Sequence, residues 1–244
     1  MSTQIIILAA GHGKRMQSLL PKALTPLRGK PFIVHLLEKI QQVGIDESPI
    51  IVVGQKREQI IDALGSSYRY AVQDEQLGTG HAVLMTENFK GNSNQTLILY
   101  ADHPLVGIKT IQGLIETHQT EGAVLTMATA RIPDFEEWRS TFLSFGRFIR
   151  DEKGTITRIV EAKDATDEEK LITEVNPAYM CFDTEWLWKH LSLLKNNNNQ
   201  KEYYLTDLVS MAFAEKQKIA SVAIDPREAL GVNTKEQLEI IESL

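Results

Sequence analysis

The first residues whose types and spacing suit chemistry are Leu8-Ala9-Ala10-Gly11-His12-Gly13-Lys14-Arg15-Met16, with Pro21-Lys22 a few positions on. Small residues and glycines let backbone N–H groups approach a phosphate, and cations such as Arg15 and Lys22 neutralise it. Two familiar phosphate motifs do not fit. A dinucleotide fingerprint needs a third glycine where Met16 sits, and a P-loop needs Gly-Lys followed by Ser or Thr, whereas Gly13-Lys14 is followed by Arg15. The plain alternative is a structural glycine turn; two cations so close behind it favour phosphate binding.

A second cluster is Tyr100-Ala101-Asp102-His103-Pro104. A carboxylate at a strand end beside a phosphate loop is a hard oxygen ligand suited to Mg²⁺. As an N-cap for a helix starting at Ile108, Asp102 lies too far upstream; Pro104 and Gly107 suit the cap region better. Asn233 follows a late strand and opens the last helix, where an N-cap or turn asparagine explains it equally well. Gln73-Asp74-Glu75-Gln76-Leu77-Gly78-Thr79-Gly80-His81 joins a strand end to a helix. A glutamine amide donates and accepts at once, which suits the edge of a uracil, yet a turn with Thr79 as N-cap explains the same residues. Glu161 and Lys163 suit a sugar hydroxyl and a phosphate, or equally stand as solvated charges on a hairpin. None of the six histidines has a partner at metal-ligand spacing and no Gly-x-Ser-x-Gly elbow occurs. The histidines therefore read as surface or packing residues, and Trp186-Leu187-Trp188 as helix packing.

The elements that must hold these residues follow from hydrophobic period. Ile5–Ala10, Ile50–Val53, Tyr70–Val72, Leu97–Tyr100 and Ala123–Ala128 read as strands, and between them run helices at Ile33–Ile40, around Ile60–Leu64, at Thr79–Glu87 and at Ile108–Glu121. Alternation at this pitch predicts an α/β fold, a doubly wound, mostly parallel Rossmann-like sheet with helices on both faces. The pattern then changes. Strand-like pieces at Arg147–Arg150, Ile156–Val160 and Val175–Phe182, with a turn at Asp151–Gly154, predict a mixed-sheet extension forming a ligand-facing lid. Helices at Thr184–Leu194 and Leu205–Glu215, a strand at Ile219–Ile224 and a final helix from Thr234 complete the chain. Such sheets bind ligands at the carboxyl ends of their strands near the switch point. That is where the residues named above fall.

Composition narrows the function classes. With 244 residues, 43% hydrophobic and 24% charged, and mean hydropathy −0.18, the chain has an ordinary globular make-up. A net charge of −6 argues against coating nucleic acid, and no apolar run approaches the roughly 18 residues of a membrane span. Cys181 is the single cysteine, so no internal disulfide is possible. Met1-Ser2-Thr3-Gln4 runs straight into the first strand without a signal-peptide pattern, and a cytoplasmic location is expected.

Taken together, these motifs resemble the sugar-1-phosphate nucleotidylyltransferases, most closely the bacterial N-acetylglucosamine-1-phosphate uridylyltransferase branch. The resemblance runs from Leu8-Ala9-Ala10-Gly11 to Gly231-Val232-Asn233. Its most specific segments are Gln76-Leu77-Gly78-Thr79-Gly80-His81-Ala82 and Glu202-Tyr203-Tyr204-Leu205-Thr206-Asp207. It implies that Leu8, Ala9, Ala10, Gly11, Gln73, Gly78 and Thr79 hold uridine, with Tyr100 in the same substrate site. It further implies that Arg15 and Lys22 act on the phosphates, Asp102 and Asn233 hold Mg²⁺, and Gly146, Glu161 and Asn176 hold the sugar. The implied partners are UTP and a sugar 1-phosphate; another sugar, dTTP, or a non-catalytic nucleotide-sugar sensor are the alternatives. Three positions depart from the family pattern: Asn176-Pro177-Ala178 replaces Asn-Thr-Gly, the Arg131–Phe145 loop is longer, and Ala101 replaces a glycine. One catalytic domain over 1–244 is expected, divided near 128 and 233, without the acetyltransferase β-helix of the bifunctional relatives.

Overall fold

A computed structural model describes residues 1–11, 13–16 and 20–244. His12 of the glycine loop lies outside the described residues. In chain order the elements begin with β1 (Thr3–Leu8), a short hairpin of β2 (Pro26–Leu27) and β3 (Lys30–Pro31), α1 (Phe32–Val43) and β4 (Ile50–Val53). There follow α2 (Arg57–Leu64), β5 (Arg69–Val72), α3 (Thr79–Leu84), β6 (Gln95–Tyr100), α4 (Ile108–Glu121) and β7 (Leu125–Arg131). The second half holds β8 (Gly146–Arg150), β9 (Ile156–Val160), α5 (Asp167–Lys170), β10 (Glu174–Asn176) and β11 (Met180–Asp183). It ends with α6 (Thr184–Leu191), α7 (Asp207–Ala214), β12 (Ile219–Ile224) and α8 (Lys235–Ser243).

The main sheet runs β5-β4-β1-β6-β11-β7-β10-β8-β9, with β12 on β7. Strands β5, β4, β1 and β6 are parallel, as sequence alternation requires. Every residue of β1 is buried, because helices cover both faces. On one face α1 seats Ile33, Leu36, Leu37 and Ile40 beside Ile60 of α2 and Ile111 and Leu114 of α4. On the other, Ala82 and Val83 of α3 meet Trp186, Leu187 and Trp188 of α6 and Leu208 and Val209 of α7. This is the doubly wound arrangement, and the tryptophans serve as helix packing.

The structure corrects several expected elements. Val175–Phe182 is two strands, not one: β10 and β11 lie end to end along one edge of β7, separated where Ala178 takes φ +69°. Pro177 has no N–H to offer a ladder, and the Asn176 side chain accepts from Ala178 N–H (2.9 Å), closing a local turn. The helix expected from Leu205 starts at Asp207, because the preceding carbonyls of Tyr204, Leu205 and Thr206 accept from the N–H three residues on, a tighter turn than an α-helix; Leu205 N–H itself donates to Thr79 Oγ1 (3.0 Å). The helix from Thr79 ends at Leu84, and the one from Thr184 at Leu191. Within the long Arg131–Phe145 connection, Glu137–Ser144 forms 3-10 turns. Arg147, fully buried, anchors them by donating to the carbonyls of Phe142 (3.1 Å) and Phe145.

Candidate active site

The carboxyl ends of β1, β5 and β6 open into a cavity of about 210 Å³. Its walls bring together residues far apart in sequence: Leu8, Ala9, Ala10 and Gly11 from β1 and its loop, Gln73 just after β5, Gly78 and Thr79 at the start of α3, Tyr100 at the end of β6 and Asp102 just after it, with Lys22. Parallel pairing aligns these ends, since Ala9 N–H donates to Val52 O (2.9 Å) and Ala101 N–H to Leu8 O (3.0 Å). Gln76 and Glu202 also line the cavity, although the sequence reading gave neither a role. Glu202 sits in a specific motif, but nothing local marks it as facing a ligand.

At the cavity's charged end the Lys22 ammonium donates to Asp102 and to Asn233 Oδ1 (2.7 Å), and Arg15 reaches the same Asn233 oxygen (3.1 Å). Asn233 is therefore not the N-cap of the last helix. Thr234 holds that position, forming a capping box with Gln237. The Lys22 and Asp102 side chains are 11% and 18% exposed. Burial opposes ionisation of Asp102, but the Lys22 charge and hydrogen bond, with smaller contributions from His103 and the backbone, together hold the carboxyl below its ordinary range.

His103 is a packing histidine, as expected, and its partners also fix its hydrogen bonding. It is buried, with Nδ1 3.0 Å from the Tyr179 hydroxyl, which in turn donates to Glu228 O (2.6 Å). A phenol has one hydrogen, so His103 must donate from Nδ1, leaving Nε2 with its lone pair. Burial keeps this imidazole neutral by lowering its pKa. The same ring packs so closely on Gly231 that a Cβ there would sit 2.4 Å from Nε2. Val232 N–H donates to Asp102 O (2.9 Å), so the Asp102 and Asn233 loops are held together by contacts that only the fold creates.

The opposite wall depends on close backbone approach. Gly80 N–H donates to Tyr203 O (2.8 Å) and Tyr203 N–H to Leu77 O (2.7 Å). Gly78 has φ +106°, and a Cβ there would lie 2.6 Å from Tyr203 O. Thr79 is not the N-cap; Gly78 is, with no side-chain bond. Gly78→Ala is expected to cost roughly 1–3 kcal/mol for backbone strain alone, lowering Tm by about 3–10 °C for a chain of this size. A Tm within a degree of the parent's would show that the Tyr203 segment yields freely.

Gly146, Asn176 and Glu161 come together, though none of them is among the residues lining this cavity. Asn176 pairs with Gly146 across the β8–β10 ladder, and Glu161 Oε2 lies 3.5 Å from where a Gly146 Cβ would stand. Thr206 donates to Glu161 Oε1 (2.8 Å). Burial raises the Glu161 pKa, and the nearby Asp207 and Asp164 carboxylates add to it against the Thr206 hydrogen bond. Burial raises the Tyr100 pKa, and the Glu161 and Asp102 charges add to the rise. Lys163, exposed, donates instead to Gln200.

Residues 5–201 match the MobA-like NTP transferase domain. Bifunctional protein GlmU of Brevibacillus brevis is 39% identical over 98% of this chain and 50% of its own length. The protein of the same name from Thermoanaerobacter pseudethanolicus is 41% identical over 96% and 49%. The chain thus spans about half the length of these curated relatives. A UDP-glucose pyrophosphorylase solved with UDP-glucose shares the fold, with a TM-score of 0.74 at 19% identity over 100% of this chain and 98% of that one. By its matched domain, which covers most of its length, this chain belongs to the MobA-like NTP transferase domain family.

Proposed function

We propose that this protein transfers a uridylyl group from UTP to N-acetylglucosamine 1-phosphate, giving UDP-N-acetylglucosamine and pyrophosphate. The observation that carries the reading is the meeting of Lys22, Asp102, Asn233 and Arg15 at one end of a cavity whose other walls are Gln73, Gly78 and Thr79. A phosphate monoester with a second pKa near ~6 is largely dianionic at neutral pH, so its oxygen attacks the α-phosphorus without a general base. As that P–O bond forms, the bond from the α-phosphorus to the bridging oxygen breaks and pyrophosphate leaves with the electron pair. Lys22 and Arg15 stabilise the growing charge, and the cavity walls align the reacting groups.

The donor set fits a hard divalent cation. Asp102 supplies a carboxylate and Asn233 an amide oxygen, and that both accept from the Lys22 ammonium supports a site suited to positive charge. Among the described residues no group of three or more His, Cys, Asp or Glu side chains is placed to hold a metal. Two protein oxygens suit Mg²⁺, which keeps waters and takes phosphate oxygens instead of an all-protein cage. Bound there, Mg²⁺ would supply Lewis-acid neutralisation of the phosphates. No helix among the described residues is long and apolar enough to cross a membrane, and the cytoplasm, where UTP is made, is the proposed location.

Glu161 and Asn176 bear on the choice of sugar. Asn176 Oδ1 is engaged by Ala178 N–H, which leaves its NH₂ to donate, and Glu161 is an acceptor. A pocket of this kind discriminates strongly against an analogue that leaves its polar groups unpaired. N-acetylglucosamine 1-phosphate is expected to give the highest kcat/KM with UTP, measured by pyrophosphate release against glucose 1-phosphate and N-acetylmuramic acid 1-phosphate. Equal or better use of either competitor would displace this sugar while leaving uridylyl transfer in place.

A further inference from the structure

The Gln73 side chain is buried at the cavity wall, and its amide nitrogen is fully used. Nε2 lies 3.0 Å from Gly78 O and 3.1 Å from His81 Nδ1. A carbonyl accepts and cannot donate, so the orientation of this amide is decided by Gly78: its NH₂ must face that oxygen. The second hydrogen then points at His81 Nδ1, which must hold its lone pair, making His81 the neutral Nε2–H form. Gln73 Oε1 accepts from no described residue. A carbonyl oxygen is what this amide has left to offer a ligand.

We propose that His81 is a positioning residue for base selection: by taking the second Gln73 hydrogen it holds the amide with its oxygen toward the cavity. The wall therefore receives a base edge with a ring N–H, as in uracil, and refuses one with a ring-nitrogen lone pair, as in cytosine. The inference rests on the uridylyl reading above and adds a residue to it. For cytosine to pair, the amide must turn over, setting Oε1 against both the Gly78 oxygen and the His81 lone pair. Without His81 only one of these oppositions remains.

The test is calorimetric affinity for UTP and CTP, with kcat/KM for both, on the whole chain as parent, His81→Ala and His81→Asn. An asparagine oxygen occupies nearly the position of imidazole Nδ1 and accepts in the same way. His81→Ala is expected to lower the UTP-over-CTP preference by about tenfold or more, the usual consequence of one mispaired buried polar contact. His81→Asn should restore it, which a merely structural role would not require. Should His81→Ala not fold, His81→Leu, which also lacks an acceptor, gives the same comparison. A parent that prefers UTP, with an unchanged preference in the acceptor-free variants or a loss in His81→Asn equal to theirs, overturns the role of His81 alone. A parent without preference for UTP overturns the uridylyl reading together with it.

Discussion

Asp102→Asn is expected to lower turnover by about 10³-fold, the largest loss from any single replacement in this protein. It removes the one carboxylate at the Lys22 and Asn233 cluster. Charge stabilisation of a transferring phosphate by a site of this kind is worth several kcal/mol, and each ~1.4 kcal/mol is tenfold in rate. The same replacement leaves the Lys22 ammonium, 11% exposed, without its anion. A loss of about 1–3 kcal/mol of stability should follow, as when a buried polar partner is deleted. The double variant Asp102→Asn with Lys22→Met separates the two effects, because it should recover stability but not turnover. Near-parent turnover at low Mg²⁺ in Asp102→Asn would show that the carboxylate has no part in the reaction.

Lys22→Met should reduce kcat by about 10²-fold or more, because a preorganised cation at developing charge contributes a few kcal/mol. Lys22 is tied to two polar groups, Asp102 and Asn233, which hold its ammonium at the charged end of the cavity. Lys22→Arg should not rescue it, since a planar fork does not replace a point charge between Asp102 and Asn233. Arg15→Ala is expected to act in the same direction at similar magnitude. Arg15 is exposed and its guanidinium makes one exposed hydrogen bond to Asn233, so its removal should leave Tm unchanged. Steady-state kinetics with thermal unfolding on each variant checks both statements. Unchanged kcat in either would mark that residue as a surface charge.

Much of this protein is written locally. Ile33, Leu36, Leu37 and Ile40 repeat at helical spacing and do form the buried stripe of α1; Ile108–Glu121 and Ile219–Ile224 have the predicted bounds. The alternation of such segments determines a parallel sheet, and a parallel sheet aligns its strand ends on one side. That is why Gly11, Gln73, Tyr100 and Asp102 are legible as one cluster: each closes or follows a strand. What local spacing does not carry is which loops touch. Asn233 and Thr79 both read equally well as helix caps, and neither is one, because their side chains meet partners more than a hundred residues away: Lys22 and Arg15 for the first, Leu205 for the second. His81 and His103 looked like packing residues since imidazole has two roles, and the fold chooses by placing Gln73 beside one and Tyr179 beside the other. Periodicity joined Val175 to Phe182, but Pro177 and the turn closed by Asn176 divided them. Hydrophobic period is a property of neighbours along the chain and survives without tertiary structure. Hydrogen-bond direction belongs to pairs, and for these residues the pairs exist only once the sheet has brought the loops together.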